Sequence, residues 1–160
     1  MTEGKSGAYV PPNGGDSVWL VGSHITVKLT SEDTGGVYAM TEEITPPQQG
    51  GAPPHVHDQE NEVLYVLEGE VEFLLGEETI PAGAGSCVYA PRGTVHAFKN
   101  VGTSPSRVLV VYSPGGFEKF FFEAGEPAPE GSSPPEGEPD GGRIVEIGQK
   151  YGLEIPPPPG

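Results

Sequence analysis

Basic residues are scarce in this chain. Eight Lys and Arg stand against 23 Asp and Glu, a formal net charge of −15, so a phosphate backbone or an anionic membrane surface is repelled at long range. Nucleic acid and membrane are therefore not expected as partners. The one cysteine, Cys87, rules out an internal disulfide and fits a reducing compartment. There is no long apolar run, and no charged, apolar, then small signal pattern opens the sequence, so the expectation is a soluble, cytoplasmic protein. A length of 160 residues leaves room for one ordinary domain and one core.

Glycine and proline, by contrast, are plentiful at 25 and 19. Between residues 10 and 116 they punctuate short runs rich in Val, Leu, Tyr and Phe: VWLVG (18–22), ITVKLT (25–30), GVYAMTEEI (36–44), EVLYVL (62–67), EVEFLL (70–75), SCVYA (86–90), HAFKN (96–100) and RVLVVY (107–112). Short strands of this kind without intervening helices predict an all-β barrel or double-sheet sandwich. Glu68-Gly69 reads as a two-residue hairpin connection, and APRG (90–93) as a type I turn with Pro91 second and Gly93 fourth.

SPGGFEKFFFEAG (113–125) has a helical pattern. Ser113 is the expected cap, Pro114 suits the first turn, Gly125 suits the stop, and Phe117, Phe120, Phe121 and Ala124 form one apolar stripe. Packing of that stripe on the barrel is the simplest reading, with a pocket lid or a dimer contact as the alternatives. EPAPEGSSPPEGEPDGG (126–142) offers almost nothing apolar to pack. The expected organisation is a barrel with its closing helix over 1–125, a Pro/Gly/acid-rich linker over 126–142, and a tail over 143–160. RIVEIGQKYGLEI (143–155) suits a short helix there, although Gly148 opposes it.

The chemistry concentrates in HVHDQENE (55–62). Residues two apart in an extended strand face the same side, so His55 and His57 project together and Asp58 points away. Glu62, which opens the next strand, is the acid placed to meet them again; Glu60 is expected in the turn, facing solvent. His96 offers a third imidazole. Three neutral imidazoles and one carboxylate suit a divalent iron, nickel, manganese, cobalt, copper or zinc ion, and with no thiolate in the set a closed structural zinc site is not expected. His24 has no such partners and reads as a packing residue. Cys87 is expected to be buried and inert.

Two stretches carry a resemblance. H-x-H-x4-E-x6-G from His55 to Gly69 and G-x5-P-x-G-x2-H-x3-N from Gly85 to Asn100 resemble the two cupin motifs, with Gly50 one residue nearer to His55 than the pattern's opening glycine. The resemblance implies an all-β fold, a single cupin jelly-roll barrel with a short C-terminal helix and an extended tail. It also implies His55, His57, Glu62 and His96 as metal ligands, and structural roles for Gly69, Pro91, Gly93 and Asn100. VWLVG, DTGGVYAM, APPHVH, RVLVVYSPGGFEKFF and QKYGLEI are similar to segments of bacterial single-domain cupins resembling quercetin 2,3-dioxygenase, which bind a flavonol on the metal and insert dioxygen into it, cleaving the central ring with loss of carbon monoxide.

A ligating carboxylate can also accept a proton, so Glu62 is the expected general base as well as a ligand. Tyr65, Phe73, Tyr89 and Phe98 are pocket-wall candidates by residue type, with core filling the simpler role. Arg92 is a candidate for the pocket rim, though an exposed turn arginine is the commoner case. Three functions fit: a metal-dependent dioxygenase acting on a flavonol or similar enolisable phenol, a non-redox metal-dependent isomerase, and a metal-bearing module that binds a small molecule without turnover. The acidic balance disfavours sugar phosphates and so lowers the isomerase reading. The expected partners are a small-molecule substrate, dioxygen and, by resemblance, a second copy in a homodimer joined through an edge strand.

Overall fold

In a computed structural model, described over residues 6–50 and 53–156, the chain runs β1 (Asp16–Leu20), β2 (Ser23–Leu29), α1 (Ser31–Thr34), β3 (Ala39–Thr45), β4 (Val56–His57), β5 (Asn61–Glu68), β6 (Glu70–Leu75), β7 (Glu78–Gly83), β8 (Cys87–Ala90), β9 (His96–Asn100), β10 (Ser106–Ser113), α2 (Glu118–Ala124), β11 (Glu126–Pro127), α3 (Gly141–Lys150) and β12 (Leu153–Glu154). The last part of the proline run, 157–160, lies outside the described residues. One sheet has the order β11-β1-β2-β3-β10-β5-β8, a second β7-β6-β9, and β12 pairs with β4. This is the expected all-β jelly roll.

Alternation along each strand builds the core. Leu64 and Val66 of β5, Val108 and Val110 of β10, and Val71 and Phe73 of β6 are all within 2% of full burial and form one cluster joining the two larger sheets. Their outward neighbours Val63, Tyr65 and Leu67, with Tyr89 of β8, are exposed. Strand β7 escapes the sequence pattern because Pro81 interrupts it. The proline is tolerated because β7 is the edge of its sheet, where a missing N–H leaves no ladder bond unmade.

Both predicted turns need correction. Strands β5 and β6 belong to different sheets, so Glu68-Gly69 does not close a hairpin; it carries the chain from one sheet to the other. Gly69 sits at φ +94°, and a Cβ there would lie 2.9 Å from the Ser106 Cα, so close approach as well as positive φ demands glycine. The second turn closes one residue later than expected, with the Thr94 N–H donating to the Pro91 carbonyl at 3.1 Å. Gly93 thereby becomes the third residue, at φ +85°, as a type II turn requires.

The helix of the phenylalanine stripe is shorter than its pattern. Ser113 ends β10 and does not cap; α2 begins at Glu118, whose buried carboxylate accepts from the backbone N–H of Gly116 (2.6 Å) and Ser31 (2.7 Å). Gly125 ends the helix as expected, and Phe117, Phe120, Phe121 and Ala124 are all buried. In α3 the Asp140 side chain accepts from the Arg143 N–H. A Cβ on Gly148 would stand 2.9 Å from Leu153 Cδ2, so this glycine permits close packing of the following turn. Between the helices, Glu126 and Pro127 pair with β1, and Ser132 accepts from the indole N–H of Trp19. Among the described residues no helix is long and apolar enough to cross a membrane.

Candidate metal centre

Four side chains from three backbone segments meet inside the barrel. His55 lies opposite His96 in an antiparallel bridge, their backbones exchanging N–H···O bonds of 3.1 and 3.0 Å. His57 follows in β4, held by the Gly93 N–H on its carbonyl at 2.9 Å, so the glycine turn that precedes His96 also anchors the first histidine pair. Glu62 enters from β5, level with Ala90 of β8 and Tyr112 of β10. One ligand atom from each of His55, His57, Glu62 and His96 lies within 4.8 Å of the others, and all four residues are buried.

The outer nitrogens decide what the inner ones can do. Nδ1 of His55 faces the Pro53 carbonyl at 2.8 Å, Nδ1 of His96 the Thr94 carbonyl at 2.9 Å, and Nδ1 of His57 the Glu60 carboxylate at 3.3 Å. Each outer nitrogen therefore has an acceptor that fixes its proton there, leaving Nε2 as a lone pair. Glu62 Oε2 stands 2.5 Å from His96 Nε2 and 3.3 Å from His57 Nε2. Lone pairs crowded against a carboxylate require a positive charge among them, and this donor set fits a divalent ion of the borderline class.

The electrostatics agree. Burial pushes the His55 imidazole down to about 4, overriding the attraction of Glu62, so this ring is neutral at physiological pH. Burial also opposes charge on Glu62 and His96, but their contact prevails and holds the carboxyl below its usual range and the imidazole above. A proton between Glu62 Oε2 and His96 Nε2 takes the place of positive charge that a bound ion would fill, leaving Nε2 a lone pair for the ion.

Glu60 is the main correction at the site. It was expected in solvent, but the bend at Asp58 and Gln59 brings it back beneath His57, and it is only 4% exposed. Its carboxylate orients the imidazole. Glu60→Ala is expected to weaken metal affinity about 10–100-fold, read by competition with a chelator, while the four direct ligands stay in place. Asp58 lies in that bend, just after β4, and is exposed.

A pocket opens on the cluster. Its walls are mostly apolar: Phe117 just before α2, Phe120 and Phe121 within it, Leu20 and Ile25 from the first sheet, Phe98 from β9, and Ile144, Leu153 and Ile155 from the carboxy-terminal segment. The Phe117 ring meets the His57 ring edge-on at 4.4 Å. Of the four aromatic candidates, Phe98 lines the pocket and Phe73 fills the core, but Tyr65 and Tyr89 are 41% and 55% exposed on the outer sheet face. Strand register puts them on the opposite side from Leu64 and Val88. The same register exposes Cys87, contrary to expectation. Arg92 is an exposed turn residue, and His24 packs against Trp19 with ring centroids 5.0 Å apart.

One pocket residue had no local signal at all. Glu43 of β3 is 8% exposed and lines the cavity; burial first and the Glu62 charge second push its carboxyl up to about 8. Its strand presents Ala39, Thr41, Glu43 and Thr45 inward, while the bulkier Met40 and Ile44 lie on the other face.

Comparison with known proteins fits this architecture. The cupin domain family matches residues 41–112. An uncharacterised protein of Streptomyces coelicolor is 38% identical over 79 residues, which are 49% of this chain and 68% of that one. The chain belongs to the cupin family. It is also 26% identical over 130 residues to quercetin 2,3-dioxygenase of Bacillus subtilis, covering 79% of this chain but only 38% of the dioxygenase's length. A predicted oxalate decarboxylase of Thermotoga maritima superposes with a TM-score of 0.63 at 20% identity, over 67% of this cupin and 99% of that chain; at that identity the likeness is one of fold.

Proposed function

We propose that this cupin is a metal-dependent dioxygenase-like enzyme acting on a flavonol or similar enolisable phenol. The observation that carries the reading is a three-histidine, one-glutamate cluster opening onto a pocket walled by four phenylalanines. Such walls favour a flat aromatic body over a sugar or a small oxo-acid. Likeness to the Bacillus subtilis quercetin 2,3-dioxygenase over most of the chain supports the same choice.

His55, His57, Glu62 and His96 would hold the ion, which when bound polarises a substrate oxygen as a Lewis acid. The chain's own contribution is distinct. Glu62, already poised at 2.5 Å from His96 Nε2, accepts the proton of the substrate's enolic hydroxyl. Phe117 and its neighbours orient the ring system and exclude water from the acidified site. Glu60 keeps the His57 ring in the orientation that presents Nε2 inward.

Access needs movement. The enclosed space is about 100 Å³, below the roughly 300–1,000 Å³ typical of pockets for ligands of this size. The part of the wall formed by 144–155 is therefore expected to shift when substrate enters.

The test has two steps. Metal analysis of the purified protein should find one divalent ion per chain. Incubation with quercetin should then bleach the flavonol absorption in air and leave it unchanged without oxygen. Uptake of quercetin with no bleaching in air would make the protein a binding module instead, and absence of both would remove the flavonol reading.

A further inference from the structure

We propose that the Glu43 carboxyl is a second anchoring point in the pocket, hydrogen-bonding a ligand hydroxyl remote from the oxygen that meets the three histidines and Glu62. The inference rests on the proposed flavonol reading and deepens it. It assigns the substrate two polar ends separated by an apolar aromatic body.

The argument begins with an unpaid cost. Burying a carboxyl without a hydrogen-bond partner costs several kcal/mol, and buried polar groups in native proteins are normally satisfied. Among the described residues nothing hydrogen-bonds or ion-pairs with the Glu43 carboxyl, and the charge that acts on it is the like charge of Glu62. Its next inward neighbour, Thr45, is satisfied: Oγ1 pairs with Ser23 Oγ at 3.1 Å, and the Thr45 carbonyl accepts from Asn100. Core filling does not account for Glu43, since Val108 and Ile25, level with it on the two flanking strands, are both buried aliphatics.

Geometry places the group where a ligand can reach it. Glu43 lines the same cavity as the histidine cluster but stands outside the four-residue set. Cross-strand pairing puts Ala39, four residues before it, level with Tyr112 and Glu62. Glu43 thus lies two inward positions farther along the barrel interior, a separation of roughly 13 Å along the strand. Leu64, level with Thr41 through Val110, lies in the wall between and is apolar, and Ile25 lines the wall beside Glu43 itself. A neutral carboxyl can donate as well as accept, so it suits a phenolic hydroxyl.

The test is anaerobic equilibrium binding to the metal-loaded protein. The probes are quercetin and its parent 3-hydroxyflavone, which keeps the hydroxy-ketone but lacks the other ring hydroxyls. The wild-type protein is expected to prefer quercetin by about tenfold or more, because a site built for a hydroxyl penalises an analogue without it. Glu43→Met and Glu43→Thr, two independent removals of the carboxyl, should abolish that preference while retaining one metal per chain, and Glu43→Gln should recover part of it. An undiminished preference in the Met and Thr variants overturns the proposal.

If the wild-type protein takes up neither flavonol, the flavonol reading falls and urea unfolding decides the role of Glu43. A carboxyl kept for a ligand predicts a Glu43→Met midpoint at or above wild type. A lower midpoint in both Met and Thr variants identifies a structural group and overturns the anchor.

Discussion

His96→Ala is expected to reduce metal content from one ion per chain to a small fraction and to abolish flavonol bleaching. The substitution removes the imidazole whose Nε2 faces Glu62 at 2.5 Å and leaves the backbone bonds to His55 in place. Losing an outer partner such as Glu60 costs about 10–100-fold in affinity, so losing a direct ligand should exceed that range. Far-ultraviolet circular dichroism should stay that of the wild type, since the β9 ladder with β6 is made by the backbone. Glu62→Gln separates the two roles of the acid. The amide keeps the shape and one coordinating oxygen but cannot take a proton, so metal should be partly retained while bleaching falls by roughly 10²–10⁴. Metal retained together with wild-type bleaching would show that Glu62 is not the base.

Deleting residues 141–160 should loosen the fold and open the site together. The segment buries Ile147 and Leu153 in the core cluster, worth roughly 1.5–3 kcal/mol each as an upper figure. Against a typical domain stability of roughly 5–15 kcal/mol, the urea midpoint should fall clearly without abolishing the barrel. The site should respond as well. Strand β12 pairs Leu153 with His57, the Asp58 N–H donates to the Gly152 carbonyl at 3.0 Å, and Arg143 caps the last carbonyls of α2 at Glu123 and Ala124. Glu123 also binds Lys150 and the Tyr151 hydroxyl. Removal of these ties should speed metal extraction by a chelator by about tenfold or more, in line with lost solvent exclusion around a metal site. An unchanged extraction rate would mean the segment only decorates the barrel.

Much of the site was legible in the residues themselves. His55 and His57 are two apart in an extended segment, and the period of a strand alone turns them the same way. Glu62 and His96 open strands that run beside them, and their spacings match motifs whose turns fix the register. Glu60 departs from strand alternation for a local reason: a two-residue bend turns the chain back, which no alternation rule anticipates. Glu43 escapes the sequence pattern for a different one. On β3 the bulkier apolar residues, Met40 and Ile44, occupy the face away from the cavity, so hydrophobic pattern gives no hint that the polar face is inside.

The limits of legibility follow the range of the interactions. Strand period and ligand spacing act over a few residues, so composition and order determined an all-β fold, most of its strands and the four side chains that converge in it. The pocket's cover came from contacts between residues about 100 positions apart, such as Leu153 with His57. The sheet crossing at Gly69 came from its approach to Ser106. Such contacts depend on where the closed barrel brings distant segments, and so only the tertiary structure decided which acids are buried, which aromatics face the ligand and what seals the mouth.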